Sequence, residues 1–519
     1  MVMNKILITV LLFSAISSYS QTDQDISGTT ARETEPFIAV NPTNPNNIIV
    51  AWMSISYPSK IVTKCSYDGG DTWGNINYLP HFSNSILITS ADESIAFNNS
   101  GTAFISYVDY KITIDSGFVR VAKSTDGGMS WSNPVNAIDG LSQPDKPIDR
   151  PWIACDKSNS AYSGRIYLVS KSYYAASPPQ KIWLSVSTDD ANTFSPVARL
   201  DTPVTTGSLT NIMGVPAVGQ DGTFYSGYLS WDLSQSLFMR VICTKSTDGG
   251  NTFTQSTIAY PVSGSGISDT LYKGDYTLDV NPQNPDNLVF TVTDARNGDP
   301  DILAVYSMDG GQTWTSTPIR VNDDSINNGI GQDMVWSAFS PNGTYAVAWR
   351  DRRNGITNDT SSFEIYTSVS LDGGASFYPN YCLSSEQSPF INIQNGNDFI
   401  GVALSDAYLF VVWSDNRNNN PDKEDIYIDK KSIALLTSIN NINYQSSLFN
   451  IFPNPTTGII HINSSNQPVT KVSIFNLYGK LINEYHTSNF SASALPSGIY
   501  YIKIETNTAS FTKKLIVIK

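Results

Sequence analysis

The chain has 519 residues, of which 11% are aromatic and only 15% charged, with a net charge of −14. One lysine in residues 1–20, and six lysines against two glutamates in 443–519, leave −19 in between. An acidic body argues against nucleic acid and anionic membrane as partners. Aromatic runs punctuated by Gly, Pro, Asn and Asp, with no long helical period, point to an all-β fold.

Residues 1–20 read as a signal peptide: Lys5, a short apolar run from Ile6 to Ile16, then the small residues Ser17, Ser18 and Ser20. No other segment approaches the roughly 20 apolar residues that a membrane-spanning helix needs. An exported chain is expected to be soluble and monomeric. Export also permits disulfides. Cys65, Cys155, Cys243 and Cys382 match no metal spacing, and Cys65 and Cys243 occupy equivalent places in two repeats, so buried free thiols are expected.

From residue 66 onward the pattern Ser-x-Asp-x-Gly-x-Thr/Ser-Trp/Phe recurs six times, starting at Ser66, Ser124, Ser187, Ser246, Ser307 and Ser370. Only the third copy departs, with Ala191 in place of the second glycine. Each copy has the chemistry of a hairpin turn. The carboxylates of Asp68, Asp126, Asp189, Asp248, Asp309 and Asp372 can accept turn N–H groups, glycine permits positive φ, and the ring folds beneath the hairpin. These aspartates are expected to be structural.

Each copy ends a unit of short apolar strands. First strands include Phe37–Val40, Ser94–Phe97, Trp152–Cys155, Thr277–Val280 and Val335–Ala338; second strands include Ile49–Trp52, Val289–Val292, Ala346–Trp349 and Phe410–Trp413. A seventh unit, 397–433, lacks the motif. Radial repeats of this size are β-propeller blades. Seven blades are favoured, with a strand from residues 21–32 closing the ring; six is the alternative. After a linker at 437–446, residues 447–519 alternate as a small β-sandwich. The expected layout is a signal peptide 1–20, a propeller 21–436, the linker, and the C-terminal domain 447–519.

The repeated motif resembles the Asp box, or bacterial neuraminidase repeat, of sialidases and related propellers. The tail, with Phe452-Pro453-Asn454-Pro455, Leu495-Pro496-Ser497-Gly498-Ile499-Tyr500 and a Lys513–Lys519 end, resembles the C-terminal sorting domain of the type IX secretion system of Bacteroidetes. That second resemblance implies export across the outer membrane to the medium or cell surface, usually followed by cleavage of the tail. The secretion machinery is then one partner.

Propeller topology puts the motif turns on one face and ligands on the other, near the axis. Two sets of polar residues map to that opposite face. Arg296, Arg353 and Arg417 follow second strands in Asp-x-Arg loops. Either they are clamped by local carboxylates or they form a cationic cluster for an anionic sugar. Glu35, Asp92, Glu93, Asp149, Arg150, Asp275, Tyr276, Asp333 and Asp398 begin first strands and ring the mouth. They read as solvated caps, as catalytic carboxylates, or, for Glu35, Asp275, Asp333 and Asp398, as a Ca²⁺ site. No cofactor is required.

The sialidase resemblance implies a three-arginine carboxylate clamp drawn from Arg150, Arg296, Arg353 and Arg417. It also implies a Tyr276 nucleophile and an acid at Asp149 or Asp275. None of these is fixed by a family motif, and the Arg-Ile-Pro start of that family is absent. The expected function is therefore a secreted propeller acting on or binding extracellular glycans or polysaccharides, with an exo-glycosidase for acidic sugars as the sharper form. A non-catalytic glycan-binding adhesin is the alternative, in which Tyr173, Tyr174, Tyr228 and Trp231 would stack on sugars. A polysaccharide lyase is the second alternative; His81 is the propeller's single histidine.

Overall fold

The computed structural model describes residues 23–141, 145–173, 180–202, 204–207, 213–230, 232, 234–236, 240–259, 275–355, 362–389, 398–417, 423–438, 449–464, 468–477, 479–506 and 510–519. The expected signal peptide, Tyr174, Trp231 and most of the linker lie outside the described residues. The chain divides into one unit ending at Leu436 and another beginning at Thr437.

Among the described residues the first unit holds seven four-stranded antiparallel sheets. Their innermost strands are Arg32–Asn41, Ile88–Phe97, Asp149–Cys155, Val215–Val218, Tyr276–Val280, Gln332–Phe339 and Gly401–Leu404. Each innermost strand packs on the next, and the last packs on the first, so the sheets form a closed ring, a β-propeller. Second strands such as Tyr345–Asp351, and Asn44–Ile55 beyond its exposed first three residues, are buried, because neighbouring sheets cover both of their faces.

Six sheets are built from four consecutive strands. The seventh takes its outermost strand, Gln24–Asp25, from the chain start, paired to Asp425–Ser432. Ile26 then enters a core with Ile48 and Trp52 of the first sheet and Phe410 and Ile428 of the seventh. Arg417 donates to Asp23 at 2.7 Å, which ties the same junction electrostatically.

The motif turns are self-contained. Ser66 Oγ donates to Asp68 Oδ1 at 2.8 Å and accepts from Gly70 N, while Asp68 accepts from Thr72 N and Thr72 Oγ1. The other five copies repeat the seryl and threonyl or seryl contacts. Each motif ring packs toward the preceding sheet; Trp131 Nε1, for example, donates to Thr63 Oγ1 at 2.9 Å. In the third copy Asp190 and Ala191 adopt φ of 61° and 58° without glycine's freedom.

These bonds stabilise the ionised carboxyl. Threonine hydroxyls hold Asp68, Asp189 and Asp309 down to about 2. A depressed carboxyl contributes stability that is present above its unfolded value and lost as pH falls through the folded one. The triple variant Asp68→Asn/Asp189→Asn/Asp309→Asn should therefore melt below the wild type at pH 6. The two melting temperatures should converge as pH falls through about 2, where the wild-type carboxyls become protonated as well. Circular dichroism melts across that range check this.

The four cysteines are free thiols, three of them buried. The second unit is a β-sandwich of a three-stranded and a four-stranded sheet around Ile460, Ile474, Phe490, Ile502 and Leu515.

Candidate ligand site at the channel mouth

Four of the seven innermost strands slip register at their first turnward residues, between Thr34 and Phe37, Ala91 and Ser94, Asp149 and Trp152, and Asp333 and Trp336. The residues inside these bulges, Glu35, Asp92, Arg150 and Met334, have φ of 48–56°. A non-glycine residue in that region costs about 1–2 kcal/mol. Four such residues at equivalent places, on the face opposite the motif turns, mark a strained ring of the kind found at functional sites.

Beneath the ring the axis is closed. Phe37, Trp152, Trp336 and Phe399 meet across it, with ring centroids 4.8–6.3 Å apart. Arg150 lies on this floor, its guanidinium 4.6 Å from the Phe399 ring centre. Arg150 Nη2 donates to Asp398 at 2.8 Å, Nη1 approaches Met213 Sδ at 3.2 Å, and the Arg150 backbone N–H donates to Asp92 at 3.3 Å. Two carboxylates from different sheets are thus held by one arginine.

Burial raises the surrounding carboxyls. Asp92 is pushed up to about 6, by desolvation first and the neighbouring Asp149 charge second. Glu35 is raised well above its ordinary value by desolvation, Asp398 and Asp92. Glu93 is only 1% exposed and neither carboxylate oxygen has a hydrogen-bond partner among the described residues, so desolvation raises it strongly too. Asp149 accepts from the buried Lys171 at 2.8 Å.

Several expected site residues are placed elsewhere. Arg296 bonds Asp294 through Nε and Nη2. Arg353 bonds Asp351, Asp323 and Asn380 and lies over Tyr366; Arg417 bonds Asp415 and Asp23 and lies over Tyr427. Their partners lie at the ends of second strands, on third strands and beside outermost strands, for Arg353 including Asp323 of the neighbouring sheet, so these guanidiniums point outward and do not converge with Arg150. The three-arginine clamp is not assembled. Tyr276 is no free nucleophile: its hydroxyl donates to Met213 O at 2.5 Å and accepts from Met213 N at 2.8 Å, and burial raises it.

The Ca²⁺ set does not assemble either. Asp333 is buried under Arg350 and Arg352, which outweigh desolvation and hold it at about 2. Among the described residues no group of three or more His, Cys, Asp or Glu is placed to hold a metal ion. Asp275 is buried at the start of the fifth sheet, its carbonyl accepting from Thr293 N. His81 bonds Asp109 and Ser90 at the rim of the second sheet. Tyr173 and Tyr228 are buried.

Lys171, Met213 and Phe399 enter the site without having been singled out in the sequence. Lys171 left one signal. It occupies the second-strand position of Arg350, and Asp149–Lys171 and Asp333–Arg350 are equivalent cross-strand pairs.

A search of curated proteins finds no match for the chain. Solved structures similar in overall course include the Hadza microbial sialidase Hz136 (TM-score 0.43, 14% identity, 75% of this chain and 77% of that one). A GH93 alpha-L-arabinofuranosidase of Fusarium graminearum is another (0.44, 13%, 80% and 99%). A leech intramolecular trans-sialidase is a third (0.41, 13%, 82% and 72%). At these scores the likeness bears on neither substrate nor chemistry. The second unit is specific: residues 450–519 match the family model of the secretion system C-terminal sorting domain, so the chain carries a type IX sorting tail that directs it to secretion or the cell surface.

Proposed function

We propose that this secreted propeller acts on an extracellular glycan at the mouth opposite the motif turns, with Asp92 donating the proton to the glycosidic oxygen and Asp398 as the carboxylate across Arg150. The observation that carries this reading is the pair of carboxyls held by one strained arginine, one of them raised to about 6. Two acids whose surroundings differ are what a glycosidic cleavage needs. The mouth also argues for neutral over acidic sugars: among the described residues Arg150 is already ion-paired to Asp398 and Lys171 to Asp149, so neither is left for a substrate carboxylate.

The test is release of reducing ends from a panel of neutral and acidic polysaccharides by the purified chain. Turnover should fall as pH rises through about 6, when a general acid at Asp92 loses its proton. Asp92→Asn should lower kcat by roughly 10²-fold or more and abolish that limb. Saturable glycan binding with no turnover in the wild type would instead assign a lectin-like role to the same mouth.

A further inference from the structure

The other end of the channel carries a separate feature. Below the aromatic floor the axis opens into a cavity of about 350 Å³ that faces the motif turns and widens into a mouth of about 480 Å³. One residue from each innermost strand rings it at the same register. Six are alanines, Ala39, Ala96, Ala154, Ala217, Ala338 and Ala403; the seventh is Asp279.

Nothing in a ring of small residues requires that carboxylate. The side chain is nevertheless fixed: Ser337 Oγ donates to Asp279 Oδ2 at 2.7 Å, and Tyr345 Oη donates to Ser337 Oγ at 2.7 Å. Burial pushes the Asp279 carboxyl up to about 7, and among the described residues only the Ser337 and Tyr345 hydroxyls act against it. Lys157 also lines the cavity, but stands three residues beyond Ala154, past the end of its strand at Cys155, and lines the outer mouth as well. Two residues above the Asp279 level, the channel-facing positions include Phe37, Trp152 and Trp336, whose rings roof the cavity.

We propose that this cavity binds a small organic ammonium ion, with the cation between the Asp279 carboxylate and the aromatic roof and its alkyl groups on the alanine ring. Ring faces attract a desolvated ammonium, quaternary ones included, and a carboxylate supplies the counter-charge. This site is independent of the glycan mouth, which lies on the other side of the floor.

The experiment is calorimetric titration of the purified chain with choline, and with 3,3-dimethylbutan-1-ol as its uncharged counterpart of the same shape. Choline should bind at least about tenfold more tightly than the alcohol. Asp279→Ala reproduces the residue of the other six sheets, so it should fold with a melting temperature at or above that of the wild type while losing choline affinity by about tenfold or more. Equal affinity for the alcohol, no choline binding by the wild type, or full affinity in Asp279→Ala would each overturn the proposal. Glycan turnover should be unchanged in Asp279→Ala.

Discussion

A secreted propeller that begins at Gly28 is expected to lose its cooperative fold, whereas one that begins at Gln21 keeps it. The deletion takes away the outermost strand of the seventh sheet, Gln24–Asp25, and leaves Asp425–Ser432 as an open edge. It also removes Ile26, 2% exposed, from the core between the first and seventh sheets. Losing a buried residue of this size costs about 2–5 kcal/mol. It further strips Asp23 from Arg417, a pair whose side chains are 1% and 9% exposed. Arg417 keeps its bonds to Asp415, so this loss adds less than the 3–5 kcal/mol or so of a pair broken outright. Against a total stability of about 5–15 kcal/mol, the loss of Ile26 alone takes a large share, and the open edge and the missing ion pair add to it. Urea unfolding followed by tryptophan fluorescence measures it, and the single variants Ile26→Ala and Asp23→Ala in the full chain should each reproduce part of the loss. An unchanged midpoint in the truncated chain would show that the ring does not depend on this strand.

Arg150→Met is expected to combine the largest functional loss with a loss of stability. The substitution removes the guanidinium that pairs with Asp398 and that lowers Asp92 and Glu35. Taking one partner from a buried ion pair costs about 3–5 kcal/mol. Without that positive charge the remaining carboxyls repel one another, and Asp92 should rise further above its value of about 6. Asp398 also loses the side chain that orients it, whereas Asp92 keeps its bond from the backbone N–H of residue 150. Arg296→Met is the contrast. It removes a guanidinium bonded to Asp294 in an outward-facing loop, so it should cost stability and leave glycan turnover intact. Loss of turnover in both variants would point to general unfolding; loss in Arg150→Met alone would assign the function to the mouth.

The motif turns were legible because their chemistry is local. Ser66, Asp68, Gly70 and Thr72 satisfy one another within seven residues, so spacing alone reveals the geometry. Their place in each unit also told which face to search, and the strained ring of Glu35, Asp92 and Arg150 stands there. The arginines were less legible. The short link from Asp351 to Arg353 can be read from sequence, and it satisfies part of the guanidinium. Its other partners, Asp323 and Asn380, lie about thirty residues away on either side, and only the stacking of sheets brings them close. Those distant bonds turn Arg353 outward, away from the axis.

The aromatic floor shows the same limit. Phe37, Trp152 and Trp336 sit at one register of three different strands, yet that they meet depends on how tightly the ring closes. By contrast, the lone Asp279 among six alanines is visible once the strands are aligned. Its meaning needed the cavity, because an aspartate at a strand position reads equally well as a solvent-facing residue until the channel is seen to enclose it.

The central claim is that glycans are engaged at the mouth where Arg150 holds Asp92 and Asp398. The most direct test is the pH profile of polysaccharide turnover for the wild type, Asp92→Asn and Arg296→Met. The account predicts a wild-type activity that declines above about pH 6, the same profile in Arg296→Met, and no such decline, at roughly 10²-fold lower rate, in Asp92→Asn. Full activity with an unaltered pH profile in Asp92→Asn would contradict it.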